Sequence, residues 1–432
     1  MRPSKKTATY SATLLLLCVA TLFLFSIALL VVFVASTPAH ATRGHVVGAG
    51  IQPPGSPPLG ATATADSATA DAVLPFEPGV ESISWWGGTI ERPKPVPLDE
   101  KVYPNYLNLF DVVTHWNPDN PDPPPVFRET LAHFNYSCPR QRAMAEAYRN
   151  AELPFKVYDV PDFDRTAELW TDEFLSKEFR KLGSVHVERS DNNHFMYWTT
   201  RGGREPEGYT PPTEIIADMN FDEWVKLAYK ADKTKLDNAT EHFYLMSNAP
   251  AGDRGRTFIS RDLRPFTVDK PNLFITNPPA NKGIQCRLAM RGVISEAHYD
   301  SGRNMVAMLS GVKRYVLNPP SACKSLKLIA DVDHPSYRHS IIDWSDPAEA
   351  LKYGFDKVQA LDTLLRKGEV LYIPTGWNHY IIALMYSMQC NSRSGSPPRG
   401  EGLADIEECM GRKFPRTPPR LRGAKMKYKR SG

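Results

Sequence analysis

Between His242 and Gln389 the chain repeatedly interrupts its own apolar runs. "HFYLMS", "NLFIT", "IQCRLAM", "NMVAML", "KRYVLN", "EVLYIP" and "YIIALMYSMQ" are each short, apolar or alternating, and set apart by Gly, Pro, Asn or Ser. Runs of this length fit strands, and their close spacing predicts a sandwich or barrel. A doubly wound parallel sheet needs a helical crossover between successive strands, and such patterns are mostly missing here. "DPAEALKYG" and "KVQALDTLL" are the main candidates for inserted helices. The expected fold is mainly β with flanking helices.

Upstream, compact structure is expected to start near "VFRETLAHF". "DRTAELWTDEFLSKEFRKL" carries apolar residues at helical spacing. "NFDEWVKLAYK" is a clearer helix: Asn220 is a cap with Glu223 three residues on, and Phe221, Trp224, Val225 and Ala228 form one stripe.

The first residues set a different constraint. Ala12 to Ala35 contains no charge and is long enough to cross a bilayer as a helix. Arg2, Lys5 and Lys6 precede it, and Arg43 is the sole Lys or Arg just after it. The positive-inside rule then predicts a single-pass type II signal anchor, with the remainder in the ER or Golgi lumen. The alternative is a cleaved signal peptide, with "AHA" at Ala39–Ala41 as the cleavage site and a secreted product. The expected organisation is a cytosolic tail (1–11), an anchor (12–35), a low-complexity stem and proline-rich extension (36–125), a main domain (126–400) and a basic tail (401–432). Sequons at Asn135-Tyr136-Ser137 and Asn238-Ala239-Thr240 suit a glycoprotein.

With Cys18 inside the apolar run, five cysteines remain: Cys138, Cys286, Cys323, Cys390 and Cys409. No CxxC or zinc spacing occurs, and the number is too small for a disulfide scaffold; one or two bridges stay open. From Gly411 onward the tail holds nine Lys or Arg and no acid, in a chain of net charge +4. A solvated terminus and a surface for acidic partners are both compatible with it.

Chemistry concentrates in "SEAHYDSGRN" and "LYIPTGWNHYI". On a strand, residues two apart share a face, so His298 and Asp300 project together while Tyr299 projects away. His379, from a distant strand, would complete a two-His, one-carboxylate face. That donor set leaves open positions and suits non-haem Fe(II) binding a cosubstrate and O2 together. Alone, an HxD triplet equally fits two satisfied polar residues at a strand end. Lys313 in "SGVKRYVLNPP" adds weight. An inward lysine in a barrel needs an anion, which the distal carboxylate of 2-oxoglutarate would supply; the alternative sends Arg314 inward instead.

"HYDSGRNMVAMLSGVKRYVLNPP" and "LRKGEVLYIPTGWNHYI" resemble the cupin-like Jumonji-C oxygenases, the small protein-hydroxylase subgroup in particular, over roughly Val126 to Ser394. The resemblance implies a double-stranded β-helix (a jelly roll) and a 2-oxoglutarate-dependent dioxygenase using Fe(II), 2-oxoglutarate and O2. It assigns His298, Asp300 and His379 to iron and Lys313 to the cosubstrate's 5-carboxylate. Tyr244 would hydrogen-bond that carboxylate, with Ser295 nearby; Asn304 and Asn391 would lie near the other end. The chain departs from the pattern in "CNSRSG", which lacks the aromatic that often follows. His334 and His339, in "DVDHPSYRHS", are expected to be exposed. The expected partner is a protein substrate in the secretory pathway, with the membrane engaged by the N-terminal helix and no nucleic acid. A noncatalytic cupin-like binding module and a membrane-tethered interaction protein are the rival classes.

Overall fold

The computed structural model describes residues 103–416, apart from 184, 201–205 and 235–239, together with the backbone of strands Val80–Trp85 and Gly88–Pro93. The anchor at 12–35, the stem, the sequon at Asn238 and the tail beyond 416 lie outside the described residues. Among the described residues, no helix is long and apolar enough to cross a membrane.

Two largely antiparallel sheets make the domain. Their principal strands are β1 (His133–Asn135), β2 (Phe155–Tyr158), β3 (His186–Ser190), β4 (Glu214–Ile216), β5 (His242–Ala249), β6 (Asn281–Ala289), β7 (Ile294–Tyr299), β8 (Asn304–Ser310), β9 (Val312–Asn318), β10 (Gln359–Arg366), β11 (Val370–Ile373), β12 (Asn378–Ala383) and β13 (Ser387–Ser394). The larger sheet runs β1-β2-β11-β8-β13-β6-β5-β3-β4. The smaller runs β10-β9-β12-β7, bordered by the two-residue strands Leu107–Asn108 and His194–Phe195. Residues 103–416 thus form a mainly β, cupin-like fold with helices on its flanks.

Strand alternation sorts the side chains into layers. Val306 and Met308 from one sheet meet Tyr315, Leu317 and Ile381 from the other in a cluster between the sheets. The opposite face of the smaller sheet, including Val316, Tyr380 and Ile382, packs on α1 (Leu109–His115) and on Trp344. The outer face of the larger sheet is covered by α2 (Pro139–Asn150), α3 (Pro161–Leu169), α4 (Asp172–Leu182) and α5 (Phe221–Lys233), which bury Tyr148, Phe163, Leu175 and Trp224.

Local signals explain most element ends. Asn220 and Glu223 form a reciprocal capping box at α5, each side chain accepting from the other's backbone N–H at 3.1 Å. The helical stretch expected over 164–182 is divided, because the Thr171 hydroxyl accepts from Phe174 N and starts a new helix. "DPAEALKYG" contains α6 (Pro347–Lys352).

Two expectations are corrected. "KVQALDTLL" holds no α-helix: a 3-10 turn ends at Lys357 and β10 follows. That strand is buried on both faces, so its apolar run carries no alternation by which to distinguish it from a helix. "NLFIT" is a turn, since the Asn272 side chain accepts from Phe274 N (3.0 Å) and Ile275 N (2.6 Å) and takes them from any ladder. "YIIALMYSMQ" is two strands, β12 and β13, joined by a short turn.

The bridges are Cys286–Cys390, across β6 and β13, and Cys323–Cys409, which ties the loop after β9 to α7 (Ala404–Cys409). Cys138 is free. The Asn135 side chain is half-buried and accepts from Cys138 N at 3.1 Å.

On β9, Lys313 faces into the barrel and Arg314 faces out, yet both are buried. Arg314 lies under α1, forks onto Asp362 of β10 (2.9 and 2.7 Å) and donates to Trp116 O (2.6 Å) and Val112 O (3.0 Å). Its guanidinium also sits 4.5 Å from the Trp116 ring centroid. It therefore satisfies the carbonyls at the end of α1 and fastens that helix to the sheet. Arg314→Met should lower unfolding stability by about 3–5 kcal/mol, because it strands the Asp362 carboxylate in the interior. Pairing it with Asp362→Leu should recover much of that loss, and the denaturant midpoints of the two variants provide the comparison.

Candidate metal centre

β7 and β12 pair antiparallel so that His298 lies directly opposite His379. Their ring centroids are 4.3 Å apart. Asp300 follows immediately after β7 on the His298 side, while Tyr299 turns outward against Phe414 and the Tyr337 hydroxyl. One ligand atom from each of His298, Asp300 and His379 can be chosen so that all lie within 4.8 Å of one another. Gly376 N donates to Asp300 O at 2.9 Å and closes the turn that leads into β12. Gly376 has φ +78°, and a Cβ there would press on Ile406 and Leu403 at 3.1 and 3.3 Å, so a side chain would strain this turn.

The hydrogen bonds prepare this cluster for a cation. His298 Nδ1 faces Glu296 O at 2.6 Å and His379 Nδ1 faces Trp377 O at 3.2 Å. Each Nδ1 therefore carries the proton, and each Nε2 keeps a lone pair for a metal. Burial lowers both imidazole pKa values; for His298, the neighbouring His379 and His339 reinforce the shift. Both rings are accordingly neutral, as ligation requires. Burial alone would raise the Asp300 carboxyl, but the Arg393 and Arg338 guanidiniums hold it well below the usual range. It remains an anion. Asp300 Oδ2 accepts from Asn304 Nδ2 at 3.1 Å, and Asn391 Nδ2 donates to Asn304 Oδ1 at 2.9 Å. The two asparagines are thus brought together behind the carboxylate.

Deeper in the barrel lies a cationic seat. The Lys313 ammonium is buried 5.4 Å from the Tyr244 ring centroid, and no carboxylate among the described residues forms an ion pair with it. Burial, assisted by Arg287, pushes its pKa down to about 7. Ser295 Oγ donates to the Tyr244 hydroxyl at 3.4 Å. Ser295 and His298 are three apart, which on a regular strand would place them on opposite faces. A register shift between them inserts one extra residue in β7, so both face the interior. A buried lysine and a half-buried arginine beside two hydroxyls form a site that lacks an anion.

All eight residues expected at the site occur around one cavity of about 620 Å³; seven line it, and Lys313 is buried beside its lining residues Tyr244 and Arg287. Sequence reading missed Arg287, Arg338 and Arg393, which also line it. Arg287 was within reach, because it alternates with Gln285 along β6. Arg338 sits in an irregular loop that no periodicity marks. The exposure expected for His339 is corrected: it is buried, with its ring stacked on His298 at 5.0 Å and its pKa pushed down to about 4 by burial, reinforced by Arg338. His334 is half-buried and outside the ligand cluster.

A β-barrel carrying a His-Asp-His face above a cationic pocket defines a class of metal-dependent cupin-like domains. The sequence model of the cupin-like domain family matches residues 141–393, and the chain belongs to that family, in its Jumonji-C branch. It is similar to the tRNA wybutosine-synthesizing protein 5 of Danio rerio (26% identical over 180 residues, 41% of this chain and 53% of the relative). It is also similar to the lysine-specific demethylase JMJ31 of Arabidopsis thaliana (30% over 111 residues, 24% and 20%). A third relative is the JmjC domain-containing protein A of Dictyostelium discoideum (33% over 174 residues, 38% and 66%). The matched region spans between 20% and 66% of these relatives' lengths.

Cobalt(II), a stand-in for Fe(II), should bind with one equivalent per chain and raise thermal stability. At a hundredfold excess over Kd the gain is about 2.7 kcal/mol. Asp300→Ala should abolish this shift, whereas His339→Gln, beside the cluster but outside it, should retain it; calorimetric melts with and without cobalt test both.

Proposed function

We propose that this chain is an Fe(II)- and 2-oxoglutarate-dependent dioxygenase that hydroxylates a side chain of a protein in the secretory pathway. The observation that carries the reading is the pairing of the His298–Asp300–His379 face with the anion-deficient seat at Lys313, Arg287, Tyr244 and Ser295, inside one cavity. Bound Fe(II) and 2-oxoglutarate supply the oxidising power: O2 and the oxo acid are consumed, one oxygen enters a substrate C–H bond, and succinate and CO2 leave.

The chain's own residues do the rest. His298 and His379 present neutral nitrogens, and Asp300 presents one negative oxygen, held by Asn304. Lys313 and Arg287 neutralise the distal carboxylate, to which the Tyr244 hydroxyl, itself accepting from Ser295, is the donor. Val306, Ile373 and Ile381 wall the cavity with apolar surface and limit water near the reacting centre.

The compartment is read from two features. The uncharged run Ala12–Ala35, with Arg2, Lys5 and Lys6 before it, supports a type II anchor. Two disulfides support an oxidising lumen, where such bonds form and persist. Relatives are named for tRNA and for lysine, an amino acid of proteins. Of these two substrate kinds, protein is the one a lumen supplies.

The full chain, purified in detergent and given Fe(II), 2-oxoglutarate, ascorbate and air, should release succinate, and Asp300→Ala should release none. Binding of 2-oxoglutarate without succinate, whatever peptide is added, would establish a noncatalytic module; no binding would leave a tethered interaction protein. Affinity for 2-oxoglutarate should also depend on pH with a definite sign. Below about pH 7 Lys313 is already charged and affinity is flat. Above it, binding must draw a proton onto Lys313, so affinity falls about tenfold per pH unit. Lys313→Arg, which stays charged throughout, should flatten the profile in calorimetric titrations at pH 6.5 to 9.

A further inference from the structure

Two arginines converge on the side of Asp300 that faces away from Asn304. Asp300 Oδ1 accepts from Arg338 Nη1 at 3.2 Å and from Arg393 Nη1 in a shorter bond. Arg338 Nη1 also donates to Tyr299 O at 2.6 Å, and Arg393 Nη2 donates to Gln285 Oε1 at 2.6 Å. A guanidinium has five N–H donors. Arg338 therefore keeps its Nε and Nη2 hydrogens, and Arg393 keeps its Nε, unengaged by any described residue. Both side chains line the cavity and are about a quarter exposed, at 22% and 23%.

Charge counting shows what this pair lacks. The cavity walls carry two carboxylates, Asp300 and Glu188, against Arg287, Arg338 and Arg393. Glu188 holds the Thr213 hydroxyl and His186, but its charge acts on Arg287, and among the described residues Glu188 forms no ion pair with Arg338 or Arg393. On the reading above, 2-oxoglutarate balances Lys313 and Arg287, and Asp300 offsets only part of a dication. Arg338 and Arg393 then share one carboxylate between two charges at a partly exposed edge next to the reacting centre, where a second anion would complete the pairing. The backbone shows that the arrangement is held against resistance. Arg338 has φ +78°, a left-handed conformation that a long side chain adopts only when its surroundings impose it. His339, stacked beneath the metal face, and the β-bridge from its backbone to His298 provide that restraint.

We infer that Arg338 and Arg393 form an anion seat beside the metal face that selects protein segments carrying Asp or Glu next to the residue to be modified. This rests on the reading of the chain as a protein hydroxylase and names its substrate class. The carboxylate is the chosen chemistry because the pair already binds one, each guanidinium giving Asp300 Oδ1 a single Nη1 donor and keeping further N–H groups for another.

The test uses two peptide pools, identical in randomised positions except that every Asp and Glu in one is Asn or Gln in the other. The detergent-purified full chain, loaded with cobalt(II) and 2-oxoglutarate, is immobilised, and retained peptides are counted by mass spectrometry. The acidic pool should be retained about tenfold more, with the preference shrinking as salt rises. Arg338→Gln with Arg393→Gln should erase the preference, and Arg393→Lys should keep most of it. Equal retention of the two pools by the unaltered chain would overturn the inference, even if no variant folds. So would a preference that survives the double substitution, or displacement of the acidic pool by a sulfated glycan at equal charge. Succinate release with each pool supplied is measured in parallel. Its absence alongside acidic preference would sink the oxygenase reading and leave the seat standing; its presence alongside equal retention would do the reverse.

Discussion

Everything at the centre depends on the register between β7 and β12. His298 and His379 are 81 positions apart in sequence, yet one cross-strand pairing places them face to face. A slip by one residue would turn His379 to the outer face and bring Tyr380 inward. The register is locked on both sides. On the outer face Ile294, Tyr299, Tyr380 and Ile382 are all buried against α1, Trp344 and Phe355, so no alternative pairing hides the same apolar area. On the inner face the bulge between Ser295 and His298 absorbs one residue at the single point where strict alternation would have separated the cosubstrate end from the metal end.

The same alternation decides between two cations. Lys313 and Arg314 are sequence neighbours, both buried, and assigned to opposite tasks by one step along β9. Arg314 meets a fixed internal carboxylate, Asp362, and two carbonyls at the end of α1, so its charge is matched within the fold. Lys313 meets an aromatic ring and another cation. A structural cation is paired before any ligand arrives, whereas a binding cation is left unpaired at an energetic disadvantage that the ligand removes.

The sequence disclosed this site unevenly, for reasons that differ by residue. His298 and Asp300 were legible because a two-residue period needs only one strand to be meaningful. His379 and Lys313 were legible because Gly and Pro punctuate the strands that carry them. Arg338 and His339 were not, since their loop has no period and their place beside His298 comes from a β-bridge 41 residues away. In the fold, the interrupted apolar runs gave the β character directly. "KVQALDTLL" failed because burial on both faces erases alternation, and "NLFIT" failed because one asparagine side chain outcompeted the ladder. The two cysteine pairings needed the strand order of the larger sheet and the return of the chain past β9, which no local pattern encodes.

The Cys286–Cys390 bridge connects these layers. It joins directly opposed residues of β6 and β13 whose neighbours, Gln285 and Arg287 on one strand and Gln389, Asn391 and Arg393 on the other, all point into the cavity. The disulfide therefore backs the wall that carries two of the three arginines and the asparagine linked to Asn304. Like-charged groups such as Arg287 and Arg393 repel across that wall, and their Coulomb energy is highest when the cavity holds no anion. A covalent link behind them resists the local separation that would relieve the repulsion, so the pocket stays shaped for its charge before the charge arrives. That is preorganisation in the strict sense: the energetic penalty is borne during folding, and binding meets a site that no longer has to be assembled.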